Sequence, residues 1–114
     1  MTDCLFCSIV HKKIPATIVE ETDLTLAFRD INPRAPVHVL VIPKPHIGTL
    51  MDLKPEDAAV LSAVHQTIQK VAQKEKVDVS GFRVVVNNGK DSGQAVSHIH
   101  YHVLGGRRLN WPPG

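Results

Sequence analysis

The chain has 114 residues, 43% of them hydrophobic and 21% charged, with a formal charge of +2 at neutral pH. That size and balance suit one core-forming domain and exclude a disordered chain. Basic residues are scattered and no apolar run reaches the ~20 residues of a bilayer crossing, so no nucleic-acid or membrane surface is expected.

No secretory leader pattern opens the sequence, which makes the cytoplasm the expected location. The two cysteines, Cys4 and Cys7, form a close pair rather than a disulfide framework, in keeping with a reducing compartment. Residues 4–13 carry apolar side chains at Leu5, Phe6, Ile9 and Val10, which predicts a short amphipathic helix ended by Pro15. Thr17–Val19 and Leu24–Phe28 predict two strands joined by a polar turn over residues 20–23. Pro33 and Pro36 make residues 29–36 a loop. Val37–Ile42 is short and nearly all apolar, the pattern of a central strand buried on both faces, and Pro43 and Pro45 close it.

Residues 55–76 predict the one long helix, with an apolar stripe at Leu61, Val64, His65, Ile68, Val71 and Ala72. Pro55 suits its first position and Glu56 and Asp57 its positive end. His65 reads as a structural histidine of that stripe. Gly81 precedes another strand, Phe82–Val86, and residues 87–94 form a polar, glycine-containing loop. The order of elements predicts an α+β fold, with a mainly antiparallel sheet of about five strands, one short helix and one long helix.

The segment after that loop, residues 97–104, places histidines at every second position: His98, His100 and His102. Ile99, Tyr101 and Val103 fill the gaps, so the pattern is that of a strand with all three imidazoles on one face. Three readings apply. The rings could be polar positions on a solvated face. Two of them could chelate a metal with a ligand from elsewhere, His38 or His46, for metal-assisted hydrolysis. Or one neutral imidazole could act as a nucleophile, with its neighbours donating to a phosphate and the preceding loop offering an anion seat.

His98-Ile99-His100-Tyr101-His102-Val103-Leu104 resembles the histidine triad of the HIT superfamily. Residues 27–33, 38–44, 87–94 and 104–107, together with the ending Trp111-Pro112-Pro113-Gly114, resemble its Hint branch across the whole chain. The resemblance implies a single HIT domain over 1–114, with 105–114 as a C-terminal tail and the sheet extended across a homodimer. It implies a purine nucleotide-binding hydrolase that cleaves nucleoside 5'-phosphoramidates through a nucleotidyl-histidine intermediate, with no metal required for catalysis. His100 would be the nucleophile, His102 would contact the phosphate and leaving group, and His98 and His38 would complete the network. Asp30 would bind the ribose hydroxyls. Leu5, Phe6, Ile9, Phe28, Ile31 and Leu40 would line the base pocket, and Asn87, Gly93, Gln94 and Val96 the phosphate loop. Trp111 would reach the partner subunit's active site.

Ala95 departs from the pattern, standing where much of the Hint branch has a phosphate-contacting serine; Ser97 is predicted to face away from His98. Alternatives are a Fhit-like dinucleoside polyphosphate hydrolase, which the short length and the tail oppose, and a nucleotide-sensing module with weak catalysis, which Ala95 favours. Cys4-x-x-Cys7 is half a zinc site by spacing, or simply two small apolar side chains on a helix. Resemblance to bacterial members of the superfamily adds His46 and His98, giving a Cys₂His₂ set for a structural zinc.

Overall fold

The structure is a computed structural model and describes residues 4–114; residues 1–3 of the expected domain lie outside the described residues. The elements are α1 (Leu5–Val10), β1 (Ile18–Glu21), β2 (Thr25–Arg29), β3 (Val37–Pro43), α2 (Ala58–Lys74), β4 (Phe82–Val86) and β5 (Tyr101–Gly105). Short 3-10 turns occupy Leu50–Asp52, Pro55–Asp57 and Lys90–Ser92. The five strands form one sheet in the order β1-β2-β3-β5-β4, antiparallel at every pairing. This is the expected α+β arrangement.

Strand alternation gives the sheet two different faces. Ala27, Val39, Val41, Tyr101 and Val103 point to one side, where Val64, Ile68 and Val71 of α2 cover them. Leu26, Phe28, Leu40 and Ile42 point to the other and pack against Phe6 and Ile9 of α1. Strand β3 is therefore covered on both faces, and His38 through Pro43 are all buried.

Several details differ from the sequence reading: β1 runs on through Glu20 and Glu21, expected in the turn, and the long helix is α2 over Ala58–Lys74, preceded by a 3-10 turn at Pro55–Asp57, rather than one helix over 55–76. His65 is exposed, and Thr67 takes its place in the buried stripe of α2. A hydroxyl can be buried there because Thr25 Oγ1 lies 2.7 Å from Thr67 Oγ1 and 2.6 Å from Thr22 Oγ1, so each finds a partner. The histidine strand also starts later than expected, at Tyr101 rather than at residue 97. The β3–β5 ladder ends at Val41↔Tyr101, and continuing its register would bring Ile99 opposite Pro43, which has no N–H to donate. Ile99 N–H instead donates to the Ile47 carbonyl. The alternation survives without the ladder: Ile99 joins the α2-side core, while Phe6 of the α1 side meets His98 and His100 edge-on.

The polar loop after β4 is held by its own side chain. Gln94 Oε1 accepts from Gly89 N–H at 2.8 Å, and Gln94 Nε2 donates to the carbonyls of Gly48 and Val96 at 2.9 and 3.0 Å. Gly89 and Gly93 adopt φ of +83° and +86°, a region that favours glycine at both ends of this turn. After β5 the chain has no regular structure. Arg83 of β4 donates to the carbonyls of Asn110 and Leu109 and lies 5.7 Å from the centre of the Trp111 ring.

Candidate active site

Four imidazoles meet on the α1 side of β3 and β5, and their hydrogen bonds fix which nitrogen carries each proton. The backbone N–H of Arg34 donates to His38 Nδ1 at 3.0 Å. A neutral His38 therefore carries its proton on Nε2, which lies 2.9 Å from His102 Nδ1 and donates to it. His102 in turn must present Nε2–H. His100 Nδ1 lies 2.8 Å from the His98 carbonyl, which can only accept, so a proton sits on Nδ1 and the neutral His100 ring carries its lone pair on Nε2. The centres of the His100 and His102 rings are 5.0 Å apart. A lone pair thus stands beside an N–H donor, an arrangement suited to attack on an electrophile whose charge the neighbour can meet.

Burial disfavours the charged forms of His38 and His102. Desolvation pushes His102 down to about 4, aided by the neighbouring His100 and His38 rings. His38 is also lowered, mainly by burial, against the opposing pull of Asp30. Asp30 follows β2, where its Oδ1 accepts from Asn32 N–H at 2.8 Å and its Oδ2 lies 3.4 Å from His38 Nε2. The aspartate caps its own turn and also faces the histidine chain.

The other expected binding residues divide. Phe6, Ile9, Phe28 and Leu40 form one buried apolar cluster with Val96 against it, and Leu40 pairs directly with His102 across the sheet. Leu5 is half exposed and, with Val96 and Ala95, lines an open groove of about 1200 Å³ that also takes in His11, Lys13 and His46. Ile31 is 91% exposed beside Asp30 and lies outside the apolar cluster. Asn87 is partly buried and Gly93 exposed in the loop after β4, where the Gln94 amide is already occupied. Trp111 is 79% exposed over Arg83 at the β4 edge of the sheet. Ser97 lines the same groove as Ala95 and is exposed.

Among the described residues, two groups bring ligand-type atoms within 4.8 Å of one another: Cys4, Cys7, His46 and His98, and Asp30, His38 and His102. The tautomers separate them. His38 Nδ1 already accepts a backbone N–H, so its Nε2 has a proton where a metal would need a lone pair. His98 is the opposite case. Its Nε2 donates to the Pro43 carbonyl at 2.8 Å, leaving the Nδ1 lone pair 3.3 Å from Cys4 Sγ and 3.6 Å from Cys7 Sγ. His46 Nδ1 lies 3.3 Å from Cys7 Sγ. A tetrahedral zinc with two sulfur and two nitrogen ligands spaces S and N by roughly 3.5 Å, so the cluster fits the ion. Burial lowers His98, favouring the neutral, ligating ring. Burial, followed by the hydrogen bond and charge of Cys4, raises the Cys7 thiol, an opposition a divalent cation would reverse.

Three contributors were not singled out from sequence. Arg34 and Pro43 hold the rings through backbone groups, which no side-chain pattern announces, and the Arg34 charge also helps to lower His38. Arg107 donates to the Arg34 carbonyl at 2.9 Å and so braces the turn that sets the His38 tautomer.

A family model described as HIT domain matches residues 11–109. A HIT family hydrolase from Legionella pneumophila has a crystal structure similar to this chain, with TM-score 0.96 and 48% identity over 98% of this chain and 100% of that one. The 14 kDa zinc-binding protein of Brassica juncea is 46% identical over 98% of this chain and 100% of its own length. A histidine triad nucleotide-binding protein from Candida albicans is 34% identical, with TM-score 0.83, over 96% of this chain and 83% of that one.

Proposed function

The chain belongs to the HIT domain family, and from that premise we propose that it is a purine nucleotide-binding hydrolase of the Hint type, acting on nucleoside 5'-phosphoramidates. One observation carries the reading: His100 has its Nδ1–H engaged by the His98 carbonyl, so in the neutral ring the lone pair lies on Nε2, the atom that would act as nucleophile. In this mechanism Nε2 attacks the α-phosphorus in line, a P–N bond to His100 forms, and the P–N bond to the amine breaks. His102 Nε2–H meets the phosphoryl oxygen or the departing nitrogen, and the amine leaves with a proton. Water then attacks the nucleotidyl-histidine, releasing the nucleoside monophosphate and restoring His100.

Asp30 would receive the vicinal ribose hydroxyls, with exposed Ile31 and half-exposed Leu5 offering apolar surface to the base and the buried Phe6–Ile9–Phe28–Leu40 cluster backing it. Asn87, Gly93, Gln94 and Val96 would shape the phosphate seat, chiefly through backbone, since the Gln94 amide braces its own loop. The Candida relative, a histidine triad nucleotide-binding protein, supports this assignment. A zinc held by Cys4, Cys7, His46 and His98 would be structural: those four tie α1 to the strand region and leave His100 Nε2 clear. The description of the Brassica relative as zinc-binding supports it.

A homodimer is part of the proposal. Phe82 and Val84 share the α2 side of the sheet, yet α2 packs over β1, β2 and β3 and leaves them 38% and 41% exposed on the edge strand. A second copy would cover them, continue the sheet, and bring its Trp111 to this site. The single domain over 1–114 with its tail, and the cytoplasmic location, belong to the same reading.

A second reading, a nucleotide sensor with weak catalysis, is favoured by Ala95, which supplies no hydroxyl at the groove. An adenosine 5'-phosphoramidate assay on the protein and on His100→Ala, with AMP binding measured for both, separates them. The hydrolase reading expects turnover abolished in the variant, AMP binding retained, and labelled nucleotide trapped on the unmodified protein alone. Equal, negligible turnover with intact AMP binding would instead establish the sensor.

A further inference from the structure

His98 belongs to two sites at once, and it does so through two different groups. Its ring Nδ1 faces Cys4 and Cys7 at 3.3 and 3.6 Å, with the His46 ring edge-on at 4.9 Å. Its backbone carbonyl receives the Nδ1–H of His100 at 2.8 Å. The hydrogen bond that selects the reactive tautomer of His100 is thus accepted by the same residue that completes the cysteine–histidine cluster.

What holds that carbonyl in place is not the sheet. Regular pairing of β5 begins at Tyr101, and residues 98–100 precede it. Beside the packing of Ile99 in the core and of both rings on Phe6, their polar anchors are the Ile99 N–H bond to Ile47, the His98 Nε2–H bond to Pro43, and whatever engages His98 Nδ1. A neutral thiol offers that nitrogen only a weak S–H donor. A zinc–imidazole bond is directional and links the ring to α1 through both cysteines and to His46.

We propose that His98 is a positioning residue through which metal at Cys4, Cys7 and His46 orients the nucleophile His100. With metal on Nδ1, the His98 backbone is fixed and the His100 Nδ1–H bond is short and persistent. Without it, residues 98–100 keep their packing and two hydrogen-bond anchors but the carbonyl is less constrained, and the His100 ring samples orientations in which Nε2 is misaimed. The kinetic part rests on the phosphoramidase reading above; the structural part does not.

The test strips metal from the full protein with a chelator and reloads it with Zn²⁺ or Co²⁺, thiolate-to-Co²⁺ absorption reporting occupancy. Protection of the His100 Nδ1 proton is followed by ¹H–¹⁵N NMR of the imidazoles. The proposal expects a sharp, slowly exchanging signal in the loaded protein, broadened or lost on stripping and restored by either metal. With an adenosine phosphoramidate, stripping should lower kcat on the order of tenfold or more, the scale of a lost orienting contact, while KM stays within about twofold. Cys7→Ser should reproduce the stripped state in both readouts; should that variant fail to fold, the stripped and reloaded unmodified chain still decides. An imidazole proton signal indifferent to metal, or no uptake of Co²⁺, overturns the coupling. Absence of turnover in loaded protein that still shows the metal-dependent signal would count against the phosphoramidase reading and support the coupling.

Discussion

His38 Nε2 and His102 Nδ1 lie 2.9 Å apart, and the direction of that hydrogen bond is imposed from outside the pair, by the Arg34 N–H on the far side of the His38 ring. The relay runs from a loop backbone, through a buried ring, to the ring that would meet the substrate. His38→Ala removes the donor and frees His102 to place its proton on either nitrogen. We expect kcat on an adenosine phosphoramidate to fall on the order of 10- to 100-fold with KM little changed, because the loss concerns proton placement rather than binding. Steady-state kinetics decide it; an unchanged kcat would mean that His102 does not depend on His38.

The same network makes a pH statement. His102 is held down to about 4 by burial, well below the ~6.5 of an unperturbed imidazole. Between those values the unfolded chain binds a proton that the folded protein refuses, so stability rises with pH across that window. The contribution is full above about 6.5, falls as the solution is acidified, and is gone once pH passes below about 4. His38 is shifted in the same direction and adds to the slope. Thermal melting between pH 4 and 7 should therefore show a steeper loss in the unmodified protein than in His102→Gln. Parallel profiles would contradict the buried, neutral assignment.

Much of this was readable in the chain, and the failures have specific causes. Alternation at His98, His100 and His102 places them on one face, and the apolar run at Val37–Ile42 becomes the doubly covered central strand. The strand boundary is not legible in the sequence because side-chain pattern says nothing about whether a partner offers an N–H, and Pro43 does not. Period alone puts His65 in the helix stripe, since it cannot tell a histidine from a threonine. The burial of Thr67 depends on Thr25, 42 residues away. Ile31 is likewise apolar by type but exposed by place. The Cys4–Cys7–His46–His98 grouping was legible only by resemblance, since its members come from three separate segments.

The buried threonine pair predicts a non-additive mutational cycle. Thr25 Oγ1 bridges Thr67 and Thr22, and Thr25 and Thr67 are 0% and 1% exposed. Thr25→Val leaves the Thr67 hydroxyl buried without this partner and should cost about 1–3 kcal/mol. Adding Thr67→Val removes the orphaned group, so the double variant should lose less than the sum of the two single changes. Denaturant unfolding of all four proteins measures the coupling. Strict additivity would show that the two hydroxyls do not rely on each other.

The edge strand decides the proposed assembly. Phe82 and Val84 face the α2 side of the sheet at its β4 end, beyond the strands that α2 covers, and among the described residues β4 has a sheet partner only in β5. An exposed apolar edge of this kind invites a further strand, and charge placed on it discourages pairing. Val84→Lys puts an ammonium in the middle of β4 while leaving the Arg83 contacts to Asn110 and Trp111 on the opposite face. Since Val84 is already 41% exposed, the protomer core should tolerate the change, whereas a second copy docked there would not. We expect the unmodified chain to sediment as a dimer at micromolar concentration and Val84→Lys as a folded monomer. Turnover should fall with dissociation if Trp111 is contributed across the interface, and Trp111→Ala should reproduce that fall without disturbing the dimer. A monomeric unmodified chain with full turnover would remove both the assembly and the cross-subunit role of the tail.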